Sequence, residues 1–369
     1  MLIAYFAHEL ADAAVQKRVR MLRAGGRRVV LLGFEREKAA PPLLGTPTIV
    51  LGRTASGKFA QRAISVLTAL PAAWAERKAW AKADLILARN LEALAIAQIL
   101  SPLVGAKGKP IIYECLDIHR LMLRRDVIGK VMRAIERACL KRVHAVLTSS
   151  PAFVTHYFEA MQKYAGPVLL VENKVLALDA RAPRPAAAPA GPPWKIAWCG
   201  VLRCARSLDL LAKLAADAAG QIEISLWGAP ALDQIPDFHE RVANAPHMSF
   251  RGAYVADDLP RIYAEAHFVW AVDYFEAGGN SDWLLPNRLY EGLYHGAIPI
   301  AAAGLETARW LETHQVGVTL AEPLAETLPR FFSDEASSRY AALRAGAAAL
   351  DPRLLSFSRE DCRALLATP

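Results

Sequence analysis

No two of the five cysteines, at positions 115, 139, 199, 204 and 362, stand in C-x-x-C or C-x-x-H spacing, so the chain offers neither a zinc-finger pattern nor a disulfide framework. No D-x-D triplet occurs, which removes the paired carboxylates expected of a divalent ion held against a diphosphate. The first residues, MLIAYFAHEL, carry no basic stretch ahead of an apolar run, and nowhere do about 18 apolar residues follow one another. Neither a leader peptide nor a membrane-spanning helix is expected. What remains is a soluble, cytoplasmic protein of a reducing compartment, working without metal or other cofactor.

At 369 residues, 54% of them hydrophobic, the chain is too long for one small core and too apolar for disorder, so two domains are expected. Its charge is uneven. Residues 1–170 hold 26 Lys and Arg against 12 Asp and Glu, leaving 18 against 24 for the rest. A basic first half fits either solvated helix faces or an anionic partner, membrane lipid or nucleic acid. The segment HRLMLRRDVIGKVMRAIERACLKRVH (119–144) mixes Leu, Met, Ile and Val with eight Arg or Lys, which predicts a basic amphipathic helix able to lie on an anionic membrane. Lys17, Arg18, Arg20, Arg23, Arg27 and Arg28 extend that charge. Nucleic acid is the weaker reading, because no aromatic-rich binding motif accompanies the cations.

Short apolar runs alternate with helical patterns throughout. Strands are predicted at LIAYFA (2–7), RVVLLGF (28–34), TIVLG (48–52), DLILAR (84–89), PIIYEC (110–115), AVLTSS (145–150) and PVLLVEN (167–173). Residues 177–194, ALDARAPRPAAAPAGPPW, break the rhythm and read as a linker. It resumes with KIAWCG (195–200), IEISLWG (222–228), MSFRG (248–252), HFVWAVD (267–273), AIPIAA (297–302) and VGVTLA (316–321). This order predicts α/β architecture: two Rossmann-like domains, 1–176 and 195–350, each with a parallel sheet, facing each other across a cleft. Residues 351–369 are expected to pack back on the first domain.

The stretch LPNRLYEGLYHGAIPIA (285–301) places Pro286 at a helix start, Arg288 and Glu291 on one face of its first turns, and Gly296 at its end, directly before a buried strand. Free amides and the positive dipole end favour phosphate there. Arg288 adds a forked cation, and Glu291 can accept hydrogen bonds from vicinal hydroxyls. A surface Arg–Glu pair is the plain alternative. A second phosphate-type feature, KIAWCGVLRCARSLDLL (195–211), puts Gly200, Arg203 and Arg206 between a strand and a helix. Trp194, Trp198, Trp227 and Trp270 are expected in the core; Tyr274 and Trp283, flanking a loop with Gly278 and Gly279, could stack on a base or sugar, with core packing the plainer reading.

On these motifs the chain resembles the family-four glycosyltransferases of the GT-B fold, in the group found in bacterial exopolysaccharide assembly. Members of that family show a proline, a cation two residues on, a glutamate three further, then a glycine and a proline; Pro286, Arg288, Glu291, Gly296 and Pro299 supply them. The family's Gly-Arg-x-x-x-x-Lys element is matched at its ends by Gly200 and Arg206, with Arg203 two places late for the first cation. VENKV (171–175) and ERACLKRVHAVLTSSPAF (136–153) look like two further family segments. The resemblance implies transfer of a sugar from a nucleotide-diphosphate sugar to a hydroxyl of a lipid-linked or polysaccharide acceptor, with anomeric configuration retained. It implies donor contacts from Gly200, Arg203, Arg206, Asn280, Asp282, Pro286, Asn287, Arg288, Leu289 and Glu291, and no metal.

Two departures stand out. The first glutamate of the family's E-x7-E pair is replaced by Trp283, with Glu276, Asn280, Ser281 and Asp282 nearby. In YECLDIHR (113–120), Leu116 stands at the family's histidine position, Asp117 is kept and His119 is displaced. Asp117 and His119 are the candidate catalytic groups, with a capping or turn role open for each. His8 is the candidate acceptor contact, or a strand-end cap. A nucleotide-sugar epimerase of the same fold and a non-catalytic nucleotide-sugar-binding protein are the rival functions.

Overall fold

Strands with both faces covered need no polar side, and the sequence supplies runs of that kind. The computed structural model describes residues 1–35, 43, 45–53, 59–106, 108–179 and 190–366, so 180–189 of the expected linker lie outside the described residues. Seven strands form the first sheet: β1 (Leu2–Ala7), β2 (Arg28–Glu35), β3 (Thr48–Arg53), β4 (Leu85–Arg89), β5 (Ile111–Glu114), β6 (Ala145–Thr148) and β7 (Val168–Leu170). Their order is β3-β2-β1-β4-β5-β6-β7, with every pairing parallel. A two-residue strand, β8 (Val175–Leu176), follows. The second sheet comprises β9 (Trp194–Leu202), β10 (Ile222–Pro230), β11 (Met248–Gly252), β12 (Phe268–Trp270), β13 (Ile298–Ala302) and β14 (Val318–Leu320), ordered β11-β10-β9-β12-β13-β14 and again parallel. Late in the chain β15 (Ser356–Phe357) pairs with β8.

The chain divides into two compact units, one of Met1–Glu172, Leu176–Asp179 and Phe357–Pro369, the other of Asn173–Val175 and Ala180–Ser356. In the first, Ile3, Tyr5, Leu31, Leu85, Leu87, Ile112 and Leu147 from the sheet pack with Val15, Val19 and Leu22 of the helix Ala13–Ala24. Cys362 of the helix Arg359–Ala364 joins that cluster, so the chain's last helix belongs to its first core. In the second unit Ile196, Trp198, Ile224, Phe268, Trp270 and Ile300 pack with Leu208, Leu211, Leu289 and Leu293. Trp194, Trp198, Trp227 and Trp270 are all buried, as expected.

Two expectations are corrected in detail. AVLTSS pairs only as far as Thr148: the Ser150 hydroxyl turns to accept from the Ala152 amide at 3.2 Å and starts the next helical turn. The single basic helix expected over 119–144 is two helices, Arg120–Leu123 and Val127–Leu140. The backbone turns extended at Arg124, which ends the first, and Asp126 caps the second, its Oδ1 accepting from the Gly129 amide at 3.0 Å while Arg124 bonds its other oxygen.

Candidate functional site

In the second sheet the chain leaves β9 toward β10 and β11, then returns to β12 on the other side. The gap between β9 and β12, at their carboxyl ends, is where ligands of such sheets are accommodated. Gly200 (φ 123°) and Gly228 (φ 130°) lie opposite each other on β9 and β10, and a Cβ on Gly228 would overlap the Gly200 carbonyl. Only glycine fits, and the strand end is left as bare backbone.

The helix Asn287–His295 supplies the second component. Pro286 is its N-cap and, having no side-chain donor or acceptor, leaves the first amides uncapped. Leu289, Tyr290 and Leu293 turn one face to the core, and Gly292 lets the helix press on Val269, whose Cγ1 is 2.5 Å from where a Cβ would stand. Gly296 (φ 98°) ends the helix in the left-handed conformation, its amide donating to the Gly292 carbonyl at 2.8 Å. This packing fixes the opposite face. There the Arg288 guanidinium lies mostly buried, with one Nη 4.0 Å from the position of an absent Gly200 Cβ. Its other Nη donates to the Val272 carbonyl at 2.9 Å and stands 4.0 Å from Asp273 Oδ2. Its buried Nε has no hydrogen-bond partner among the described residues.

Glu291 sits one turn further, where Tyr263 donates to its Oε2 at 3.4 Å. Burial pushes the Cys199 thiol up to about 12; a Tyr263 hydrogen bond lowers it, Glu291 adds to the rise and Arg288 opposes it. Burial, with Glu291 next, likewise raises Tyr254. The carboxylate therefore stands among groups that stay neutral, beside one arginine.

The other predicted contacts divide. Arg203 lies over the Phe275 ring at 4.4 Å, just before the helix Ala205–Asp217. Arg206, exposed, stacks on Tyr274 at 3.8 Å and bonds the Glu322 carboxylate at 3.1 and 3.2 Å, so its cation already has a counter-charge. Asn280 is buried at the start of the short helix Asn280–Trp283. Asp282 accepts from the Gly278 amide at 3.1 Å and so shapes the loop. Ser281 does similar work, donating to Asp273 at 3.0 Å while accepting from the Glu276 amide at 2.9 Å. Asn287 is exposed at the helix start. The Leu289 side chain is wholly within the core, which restricts any contact of that residue to its backbone.

The first unit's switch point, between β1 and β4, carries a group of charges that sequence reading missed. Arg18 Nε donates to Glu114 Oε1 at 2.6 Å, and Tyr5 donates to the same carboxylate. Arg89 lies 3.9 Å from Glu114 and 3.4 Å from Asp12. Burial would raise the Asp12 carboxyl, but Arg89, then His8 and the Val15 and Ala14 amides, hold it below its usual range. His8 follows β1 with Nε2 3.9 Å from Asp12. The available signal was charge at the last positions of two otherwise apolar strands, Arg89 and Glu114. His119 caps the helix Arg120–Leu123, its Nδ1 accepting from the Leu121 amide at 3.2 Å, and exposed Asp117 lies in the same turn after β5.

No protein-family profile matches this sequence. The succinoglycan biosynthesis protein ExoL of Rhizobium meliloti (strain 1021) is 45% identical over 371 residues, covering 99% of this chain and 92% of that protein. Among solved structures, a sucrose-phosphate synthase from Thermosynechococcus elongatus superposes with a TM-score of 0.70 at 15% identity, over 100% of this chain and 97% of its own. Anabaena Alr3699/HepE in complex with UDP and glucose gives 0.70 at 16%, over 100% and 98%. WaaG, a glycosyltransferase involved in lipopolysaccharide biosynthesis, gives 0.68 at 13%, over 100% of each chain. At such identities the structural likeness is one of fold.

Proposed function

Because the chain belongs to the same family as the succinoglycan biosynthesis protein ExoL and is built on the GT-B fold, we propose that it is a glycosyltransferase moving a sugar from a nucleotide diphosphate to a hydroxyl of a growing exopolysaccharide. The observation that carries this reading is Arg288, its Nε unpartnered, beside the bare backbone of Gly200 and one turn ahead of Glu291. The diphosphate lies against Arg288, the uncapped amides of Asn287 and Arg288, and Arg203; the ribose hydroxyls bond Glu291. As the bond from the anomeric carbon to the diphosphate breaks, negative charge grows on the departing oxygen. Cations and helix-end amides stabilise that charge without a metal.

In the first unit Asp117 and His119 attend the reacting sugar, and His8 the acceptor. The sugar keeps its anomeric configuration. A lipid-carried saccharide is the acceptor we favour, and the positive charge of residues 1–170 suits the anionic membrane surface where such molecules lie. UDP and UDP-glucose occupy Anabaena HepE, which makes them the first ligands to try.

A thermal-shift screen over UDP, GDP, ADP and their sugars identifies the donor, since a ligand bound only by the native state raises the melting temperature. The stabilising sugar nucleotide is then incubated with and without a lipid-extracted saccharide acceptor. Sugar transfer that needs the acceptor is expected. Acceptor-independent conversion of the donor to its epimer would overturn the transferase reading, and binding without turnover would reduce it to a binding protein.

A further inference from the structure

We propose that Arg206 is a positioning residue for the transferred sugar rather than a ligand of the diphosphate: together with Tyr274 and Glu322 it clamps the loop of residues 273–283. The three groups close on one another. The Arg206 guanidinium stacks on the Tyr274 ring at 3.8 Å, and one Nη donates to both Glu322 oxygens at 3.1 and 3.2 Å. The Tyr274 hydroxyl donates to Glu322 Oε1, and the Leu324 amide to Oε2 at 3.0 Å. Each carboxylate oxygen thus receives two donors, about as many as it has lone pairs. Stacking uses the face of the guanidinium and the ion pair its edge, so the two contacts do not compete. Burial, then the hydrogen bond to Glu322, raises the Tyr274 phenol above its usual range and keeps it a donor.

A lone ion pair between exposed groups contributes little and opens easily. This one is closed into a ring and tied to a backbone amide. Opening it for a phosphate would also set the Glu322 carboxylate beside a charge of its own sign. Arg203, three positions before Arg206, stacks on the adjacent ring, Phe275, at 4.4 Å. Two consecutive aromatics of one loop are thereby held by the cations that follow β9, while Glu322 reaches the same place from the turn after β14. The loop is gathered from within by Asp273, whose Oδ1 accepts from the Phe275 amide at 2.8 Å and the Ser281 hydroxyl at 3.0 Å. Asp273 Oδ2 is the oxygen that stands 4.0 Å from Arg288.

The order of groups in the donor places the sugar at this loop. A nucleotide sugar runs from base to ribose, diphosphate and sugar. On the donor site proposed above, on which this inference rests, the ribose meets Glu291 one turn into the helix Asn287–His295 and the diphosphate meets its start. The sugar then lies beyond that start, where residues 273–285 run from the end of β12 to Pro286. Ala277 and Gly278, in the middle of the loop, are exposed, whereas Tyr274 and Phe275 at its beginning are partly buried against the core. Arg206 therefore bears on the sugar only through the shape that Tyr274 gives the loop.

The full-length parent, Arg206→Ala, Glu322→Ala and Arg288→Ala are titrated calorimetrically with UDP and with UDP-glucose, or with the guanosine or adenosine pair where that pair raises the parent's melting temperature. Arg206 and Glu322 are exposed, so their variants should melt near the parent. Arg206→Ala should leave the Kd of the nucleoside diphosphate within about twofold and raise that of the sugar nucleotide about three- to tenfold. Glu322→Ala should likewise weaken the sugar nucleotide. A Glu322 that merely shields Arg206 from phosphate would act with the opposite sign. Equal weakening of both ligands in Arg206→Ala, tighter sugar-nucleotide binding in Glu322→Ala, or a sugar-nucleotide Kd unchanged in both variants overturns the proposal. Arg288→Ala separates this failure from that of the donor site. Where it weakens both ligands, the clamp falls alone; where it weakens neither, the donor site is misplaced and the clamp falls with it.

Discussion

The two sheets are wound alike, with the chain reversing direction between β1 and β4 in one and between β9 and β12 in the other, yet the strand ends at those points are furnished differently. In the first unit, Arg18 and Arg89 face Glu114 and Asp12 at 2.6 to 3.9 Å, so two buried cations meet two carboxylates. In the second, Arg288 stands 4.0 Å from its nearest paired carboxylate, keeps an unpartnered Nε, and borders two glycines that expose the backbone. A buried guanidinium left short of partners is costly to a folded protein. Its persistence at a strand end is understandable if a ligand's anion completes it. The first unit sets two carboxylates against its two cations, although Arg89 Nε and Nη1 also lack a hydrogen-bond partner among the described residues; the second gives its cation one carboxylate at 4.0 Å and bare backbone beside it.

The contrast can be broken most forcefully from the first unit. Glu114→Ala strands Arg18 and Arg89 without their shared carboxylate and should destabilise the protein by about 3–5 kcal/mol in urea denaturation. Gly228→Ala should cost about 2–4 kcal/mol, because it combines a left-handed backbone with overlap onto Gly200. Its damage should also reach nucleotide binding, read by calorimetric titration of whatever sample still folds. Arg288→Ala should behave oppositely to Glu114→Ala, raising the Kd for the nucleotide diphosphate about 10–100-fold with little change in melting temperature. Arg288→Lys should recover only part of that loss, since an ammonium lacks the fork. If Arg288→Ala melts early and binds normally, the guanidinium is structural and the contrast is lost.

A gentler effect concerns His295, which stacks on Tyr263 at 6.0 Å and whose pKa burial lowers from 6.5 to about 4. Below pH 6.5 the unfolded chain takes up a proton that the folded chain refuses until about pH 4. The contribution of this group is therefore complete above pH 6.5 and falls as the pH drops toward 4. His295→Gln should flatten the slope of stability against pH across that window, measured by denaturation at stepped pH.

Much of the fold was legible because each strand carries its own apolar run, and every strand of the two large sheets falls within or beside a predicted segment. The Arg288 helix was legible for a related reason: Pro286, Arg288, Glu291 and Gly296 are neighbours in sequence, so start, chemistry and stop can be read together. Arg18 and Glu114 are 96 positions apart, and no local pattern announces such a pair. Tyr263 reaches Glu291 only because two helices pack together, which periodicity cannot specify. The break at Asp126 was missed for the opposite reason. Hydrophobic period dominated the reading of 119–144, and a capping residue inside it was passed over.

The carbonyl of Cys362 fills the space where Gly25 lacks a side chain, while Arg27 donates to the Arg363 carbonyl at 3.0 Å. A ribosome delivers these partners more than three hundred residues apart, so the early-made unit waits, incomplete, until residues 357–366 have emerged. The second unit, made later, has all its strands in hand sooner after its own synthesis begins. Deleting residues 357–366 would therefore injure the beginning of the protein and spare its middle.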